Sequence, residues 1–322
     1  MTPLFVPVAT QGAVRHLGPD DLAGTGSAVL LVDALHLGLR PGIDVVSTPG
    51  ELHRFMGWTG PLITMSGSFR LRSAAGTAAE PTALRIDDAG ATVVSHVDGA
   101  RIAWSPERSI GDQHRLGADI VLASSQQTWG TDSPGDLHAA VNRTLLWNER
   151  SLSTWSGHGD MFGVVQGGVS IEERQRCAAA LSALPFRGFA VGGHLGVGPD
   201  VTAALRGALG PLPEERPRAV LTAPSLRGVL DALHLGADLV SASFPIELAE
   251  RGTLLIGEGL LDITDGAYAW DLTAPVAGCS CVLCSTFTRA YLHHLFVAHE
   301  MLAPRLAGIH NLHTVHAAVA GI

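Results

Sequence analysis

Three thiols crowd into six residues, Cys279-Ser280-Cys281-Val282-Leu283-Cys284, and this spacing is the strongest chemical signal in the chain. A C-x-C-x-x-C turn aims three thiolates at one point, as zinc requires, and a fourth nitrogen or sulfur ligand completes the tetrahedron. Candidates downstream are His293, His294, His299, His310, His313 and His316. His293 and His294 fall in mid-helix by periodicity, whereas His310 stands in Gly308-Ile309-His310-Asn311, which reads as a loop able to fold back on the turn. Four protein ligands leave no open coordination position, so the expected Zn2+ is structural. The remaining cysteine, Cys177, stands alone in the helical run 171–184 and reads as a small buried hydrophobe.

Such a cluster needs a frame, and the rest of the sequence supplies one. Short apolar runs at 28–33, 62–66, 118–124, 162–166, 188–192, 218–222 and 238–243 alternate with amphipathic stretches of helical length, among them 171–184 and 225–235. Alternation of buried strands and helices predicts a parallel sheet covered by helices. No G-x-G-x-x-G follows the first run, where 33–38 reads DALHLG, so a closed barrel is preferred to a dinucleotide-binding sheet. Seven strands can be read and the eighth is not evident. Residues 84–104 interrupt the pattern with a β-hairpin turning at 87–90. A Gly-containing stretch, 251–278, leads into the cysteine cluster, and 286–302 has helical period and packs the metal-binding region onto the barrel. The division expected is 1–250 for the barrel, with its N-terminal strand segment and inserted hairpin, and 251–322 for a zinc-binding subdomain with C-terminal helices.

Composition restricts the partners. The chain has 322 residues, is 46% hydrophobic and carries a formal charge of −9, with arginine as its only strong base because it contains no lysine. Nucleic-acid binding rests on a basic stripe that displaces counterions from phosphates, and here 21 arginines are scattered among 30 acids. No run of about 20 apolar residues and no basic-then-apolar leader occurs, which predicts a cytoplasmic protein without a membrane span.

Several stretches in order resemble the signature segments of the tRNA-guanine transglycosylases over nearly the whole chain: 2–14 (TPLFVPVATQGAV), 35–42 (LHLGLRPG), 52–58 (LHRFMGW), 95–100 (SHVDGA), 105–108 (SPER), 162–168 (FGVVQGG), 285–295 (STFTRAYLHHL) and 309–313 (IHNLH). The resemblance implies an α/β fold, a (β/α)8 TIM barrel with an inserted zinc-binding subdomain, whose zinc ligands are Cys279, Cys281, Cys284 and His310. It also implies exchange of guanine in tRNA for a 7-deazaguanine. In that chemistry an aspartate nucleophile attacks the anomeric carbon and a second aspartate moves protons.

This chain departs from the family at the reacting centre. Met65 stands where the proton-transferring Asp belongs, Ser241 at the position of the nucleophile, and Ser125 at an Asp that reads the donor edge of the base. Arg70 replaces a Gln. Serine is a weak nucleophile without an adjacent base. The base platform is retained: Phe69 matches the stacking ring, Gln166 a hydrogen-bonding amide, and Gly192 and Gly193 the backbone that approaches the base. Asp33 stands where the family has Asn near the ribose, and is either a replacement acid or the cap of a loop. His194 is either a proton carrier or a surface residue. Where the family places arginines that grip the anticodon loop, 246–250 reads IELAE and reverses the charge through Glu247 and Glu250.

The first reading is therefore a diverged glycosyltransferase handling a 7-deazaguanine-like base on a small sugar or nucleotide donor, with tRNA disfavoured. A non-catalytic subunit paired with an active relative is the alternative, and either a homodimer or a heterodimer is expected. An ordinary tRNA transglycosylase is a third reading, against which the reversed charges count.

Overall fold

Eight parallel strands close into a barrel in a computed structural model that describes residues 3–48, 51–67, 82–157, 159–193 and 199–322. In chain order the strands are β1 (Leu4–Pro7), β2 (Leu30–Asp33), β3 (Leu62–Met65), β4 (Thr82–Asp87), β5 (Gly90–Val94), β6 (Arg101–Trp104), β7 (Ile120–Leu122), β8 (Asp160–Val165), β9 (Gly188–Val191), β10 (Arg218–Val220), β11 (Leu239–Ala242), β12 (Thr253–Ile256) and β13 (Gly259–Asp262). The barrel runs β1-β11-β10-β9-β8-β7-β3-β2, and Val8 opposite Leu31, with Ala9 N donating to Leu31 O at 2.7 Å, brings its two edges together. The strand that the sequence left unassigned is thus β1, too short and too Pro-bounded to stand out by pattern.

Strand alternation sorts the side chains. Val6, Leu31, Ile63, Leu122, Phe162, Val164, Ala190, Ala219 and Leu239 fill the barrel interior, while Phe5, Leu30, Val121, Val165, Phe189, Val220 and Val240 meet the covering helices. With both faces buried, the strands read as continuous apolar runs. Gly188 makes room for a large neighbour: a Cβ there would lie 2.5 Å from the Phe162 ring.

The covering helices begin where serine precedes them. Ser105, Ser133, Ser170 and Ser225 accept the amides of Arg108, Asp136, Glu173 and Gly228 at 3.2–3.3 Å. Each such cap contributes about 1 kcal/mol. Buried Asn148, on the helix Pro134–Thr154, ties two strand ends together, donating to Ser124 O (3.2 Å) and accepting Val164 N (2.8 Å).

Two expectations need correction here. The insertion is a three-stranded antiparallel sheet, β4-β5-β6, because the chain turns again at 95–100 and β6 pairs with β5. That third strand delivers Trp104 against Trp147, ring centroids 5.1 Å apart, and Trp104 Nε1 and Ser109 Oγ both donate to Ser66 O (3.2 and 3.1 Å). The sheet thereby fixes the chain just beyond β3. Second, 286–302 is not one helix, and His310 is not in a loop. Separate helices span Arg289–Val297 and Leu302–Ala320, parted where His299 takes a φ of 55°, and His310 lies inside the second. Gly308 looked like a loop marker but lies inside this helix, buried beside Ile246 and Leu17.

Helix Leu302–Ala320 joins two cores. Ile309, Leu312, Val315 and Val319 pack into the outer barrel core, whereas Ala303, Leu306 and Ala307 join the cluster around the cysteines and β12-β13.

Candidate functional site

At the C-terminal ends of the barrel strands the alternation that points Leu31, Ile63 and Leu239 inward also points Asp33, Met65 and Ser241 inward. All three border a cavity of about 40 Å³ of water-accessible space, completed by Val8, Thr10, Leu31, Leu221, Thr222 and Ser243 among others. Barrel enzymes carry their chemistry at this face.

Asp33 caps the helix Ala34–Leu39, with Oδ1 accepting His36 N at 3.1 Å. Its other oxygen, Oδ2, lies 3.3 Å from His36 Nδ1 but makes no hydrogen bond among the described residues, although the side chain is only 1% exposed. The capping role of Asp33 is thus visible in one oxygen, while the other faces the His36 ring. Ser241 Oγ is likewise buried and makes no hydrogen bond among the described residues. Unsatisfied buried polar atoms cost roughly 1–3 kcal/mol each, which makes their meeting at one cavity chemically informative. Met65 occupies its place with a thioether that transfers no proton.

Gln166 and Ser125 are brought together. Gln166 Nε2 donates to Ser125 Oγ (3.1 Å) and reaches Gln127 Oε1 (3.5 Å), while its Oε1 accepts Thr128 N (3.2 Å) and Thr128 Oγ1 (2.9 Å). The amide orientation is thereby set: its donors face Ser125 and Gln127, and its acceptor is taken by Thr128. Thr128 Oγ1 also accepts Gly167 N and Gly168 N (3.2 and 2.9 Å). Gly192 lies against this amide, since a Cβ on it would come within 2.7 Å of Gln166 Nε2. Gly193 has a φ of 100°, strained for any side chain. Phe69, Arg70 and His194 lie outside the described residues.

Sequence reasoning missed Thr128 and Arg174. Arg174 belongs to the buried stripe Arg174, Cys177, Ala178, Leu181 of the helix Ile171–Ser182, and a charge at an apolar position was the signal available. Burial lowers its guanidinium to about 10. Cys177 is fully buried as expected, and burial raises its thiol to about 11.

The rim beyond β11 carries two carboxylates, Glu247 and Glu250. Ser243 Oγ, which borders the cavity, donates to Glu247 Oε1 (2.6 Å), and Glu250 pairs with Arg15 (3.0 Å) and His16 (3.2 Å).

The metal centre lies away from this mouth. His310 Nδ1 stands 3.6, 3.4 and 3.4 Å from the sulfurs of Cys279, Cys281 and Cys284, and the four donor atoms fall within 4.8 Å of one another. Tetrahedral zinc, with bonds of about 2.3 Å to sulfur and about 2.0 Å to nitrogen, spaces N and S about 3.5 Å apart. The set fits a structural zinc site. Cys281 caps the helix Val282–Thr286, so that Cys284 N points at its sulfur (3.5 Å). His310 Nε2 donates to Leu255 O (2.9 Å), which leaves the lone pair on Nδ1 facing the thiols. Hydrogen bonding from Cys284 holds the Cys281 thiol down at about 3, and the same bond pushes the Cys284 thiol up. Three thiolates this close repel one another unless a divalent cation joins them, which is the charge zinc supplies.

The whole chain, residues 1–322, matches the family model described as Queuine tRNA-ribosyltransferase. It is similar to the queuine tRNA-ribosyltransferase of Thermus thermophilus, with 39% identity over 319 residues, 98% of this chain and 81% of the relative. The protein of the same name from Moorella thermoacetica is 37% identical over 316 residues, covering 97% and 83%. That of Nitrosomonas europaea is 37% identical over 329 residues, covering 100% and 86%.

Proposed function

Because the chain belongs to the queuine tRNA-ribosyltransferase family, we propose that it is a diverged glycosyltransferase making or exchanging the N-glycosidic bond of a 7-deazaguanine-like base on a small sugar or nucleotide donor. The observation that carries this reading is that two buried atoms without a hydrogen bond among the described residues, Asp33 Oδ2 and Ser241 Oγ, belong to side chains bordering one cavity at the barrel mouth. Sugar hydroxyls and an anomeric carbon suit such a lining, since a carboxylate stabilises an oxocarbenium-like centre. Gln166 and the Gly192 backbone would hold the base, with Phe69 and Arg70 as its further contacts.

In an exchange the C1–N bond breaks with its electron pair leaving on the departing base, which takes up a proton. Asp33 closes an ester to C1. The ring nitrogen of the incoming base then expels the carboxylate and releases its own proton, so charge and protons balance over the two halves. Ser241 donates a hydrogen bond to the sugar. Glu247 at the rim and the absence of lysine favour a small donor over a polyanion, because carboxylates facing phosphates repel them.

Calorimetry with 7-deazaguanine, with mass-spectrometric detection of new glycosides from nucleosides and nucleotides, tests the reading. Saturable binding and glycoside formation are expected, with Asp33→Asn lowering turnover about 100-fold or more while base binding persists. Neither binding nor bond formation would overturn the enzymatic reading. Radiolabelled guanine entering tRNA would overturn the choice of donor. A second reading, a non-catalytic subunit of a heterodimer, draws on the adjoining Trp270 and Leu272, 92% and 78% exposed on the zinc-binding region. Stable co-purification with a catalytically complete family member would favour it.

A further inference from the structure

Arg174 is wholly buried, yet no carboxylate pairs with it among the described residues. Its Nε donates to Gly168 O (2.9 Å), and its Nη1 donates to Gly192 O (2.7 Å) and Val165 O (3.2 Å). Nη2 has no partner among the described residues. A buried cation without a counter-ion is expensive, and apolar side chains of similar volume commonly fill such sites at no loss of stability. Packing alone is therefore a poor account of this residue.

The guanidinium polarises three peptide groups, and the shortest of its three bonds falls on the one that joins Gly192 to Gly193. The Gly192 carbonyl and the Gly193 N–H belong to the same amide, and a cation hydrogen-bonded to the oxygen strengthens the N–H as a donor. Gly192 returns to the inner face of the barrel by the alternation that turns Ala190 inward. Gly193 is held beside the cavity, because Thr222, which borders it, donates through Oγ1 to Gly193 O (3.0 Å). Among the described residues no acceptor meets the Gly193 N–H. A Cβ on Gly193 would lie 2.7 Å from Arg174 Nη2, so the guanidinium and a side chain there exclude one another.

We propose that Arg174 is a positioning residue that sets base specificity: through the Gly192–Gly193 peptide it strengthens a backbone donor for the exocyclic carbonyl oxygen of a 6-oxo base. This rests on the base-binding reading above.

The test compares 7-deazaguanine with 2-amino-7-deazapurine, which lacks that oxygen, by calorimetry on the full chain and on Arg174→Lys and Arg174→Met. The wild type should prefer the 6-oxo base. Both variants should lose about tenfold of that preference, the scale of a charge-assisted hydrogen bond over a neutral one, while holding the deoxygenated base within about twofold of wild type. If both affinities fall together, or the preference is unchanged, the proposal fails alone. If the wild type binds neither base, the base-binding reading falls with it. A measurement on the wild type guards against variants that do not fold. With 15N-glycine labelling, the Gly193 amide proton should move downfield on adding 7-deazaguanine and not on adding the other base; equal shifts with both would overturn the assignment.

Discussion

Replacing Asn311 by leucine should loosen the zinc-binding region from the barrel. Its side chain is fully buried and makes three bonds: Nδ2 donates to Pro245 O (2.9 Å) and Thr253 O (3.0 Å), and Oδ1 accepts Leu255 N (2.9 Å). Pro245 belongs to a barrel helix, whereas Thr253 and Leu255 belong to β12, so one amide joins the two regions. Each bond contributes about 1 kcal/mol net and an orphaned buried partner costs more, so Asn311→Leu should destabilise by about 3–5 kcal/mol. Asn311→Asp keeps the acceptor for Leu255 N but sets a carboxylate against two carbonyls, and should be at least as damaging. Urea unfolding followed by circular dichroism gives the loss, and a metallochromic dye follows zinc release in the same samples. Because Leu255 O also orients His310, zinc should leave the variant at lower urea. A loss below about 1 kcal/mol for Asn311→Leu, with unchanged zinc release, would refute the assignment of Asn311 as the joint between the regions.

Elemental analysis should find one zinc per chain, and Cys284→Ser or His310→Ala should abolish it. In chelator, Cys279, Cys281 and Cys284 should become reactive to a thiol reagent, whereas Cys177, its thiol raised to about 11 by burial, should react only on unfolding. Rapid reaction of Cys177 in the folded chain would contradict its placement. Stability should also fall with acid through His316, whose imidazole is lowered from 6.5 to about 4, first by burial and then by His313. The unfolded chain takes up this proton first, so the contribution is complete above about pH 6.5 and is lost as pH falls toward 4, about 3 kcal/mol in all. His316→Leu loses the bond to Ser27 (2.9 Å) at every pH but should flatten this slope relative to wild type; parallel pH curves would exclude His316 as the source.

Much of the frame was legible in the sequence because its signals are local. Parallel strands buried on both faces must be apolar runs, and helices begin at serines whose hydroxyls take the first free amides, so element order and barrel class follow from pattern. The misreadings occurred where a local sign had a distant cause. Gly308 suggested a loop, but it is a buried position inside a helix that packs beside Ile246. β1 has only four residues and gains its standing from partners on β11, more than two hundred positions away.

The candidate site divides in the same way. The C-x-C-x-x-C turn determined by itself that three thiols converge, because a tight turn constrains its own side chains. Which of six histidines completes the set was decided by the packing of helix Leu302–Ala320, which carries His310 to the sulfurs and leaves its other nitrogen on Leu255 O. Likewise the side-chain types at Met65, Ser125 and Ser241 are read in one dimension. That Asp33 and Ser241 border one cavity, and that Arg174 reaches the Gly192 carbonyl, depends on separate strand ends meeting at the barrel mouth. Residue types fix what chemistry is available; only the closure of the barrel gathers those groups at one mouth, because they stand on strands far apart in the chain.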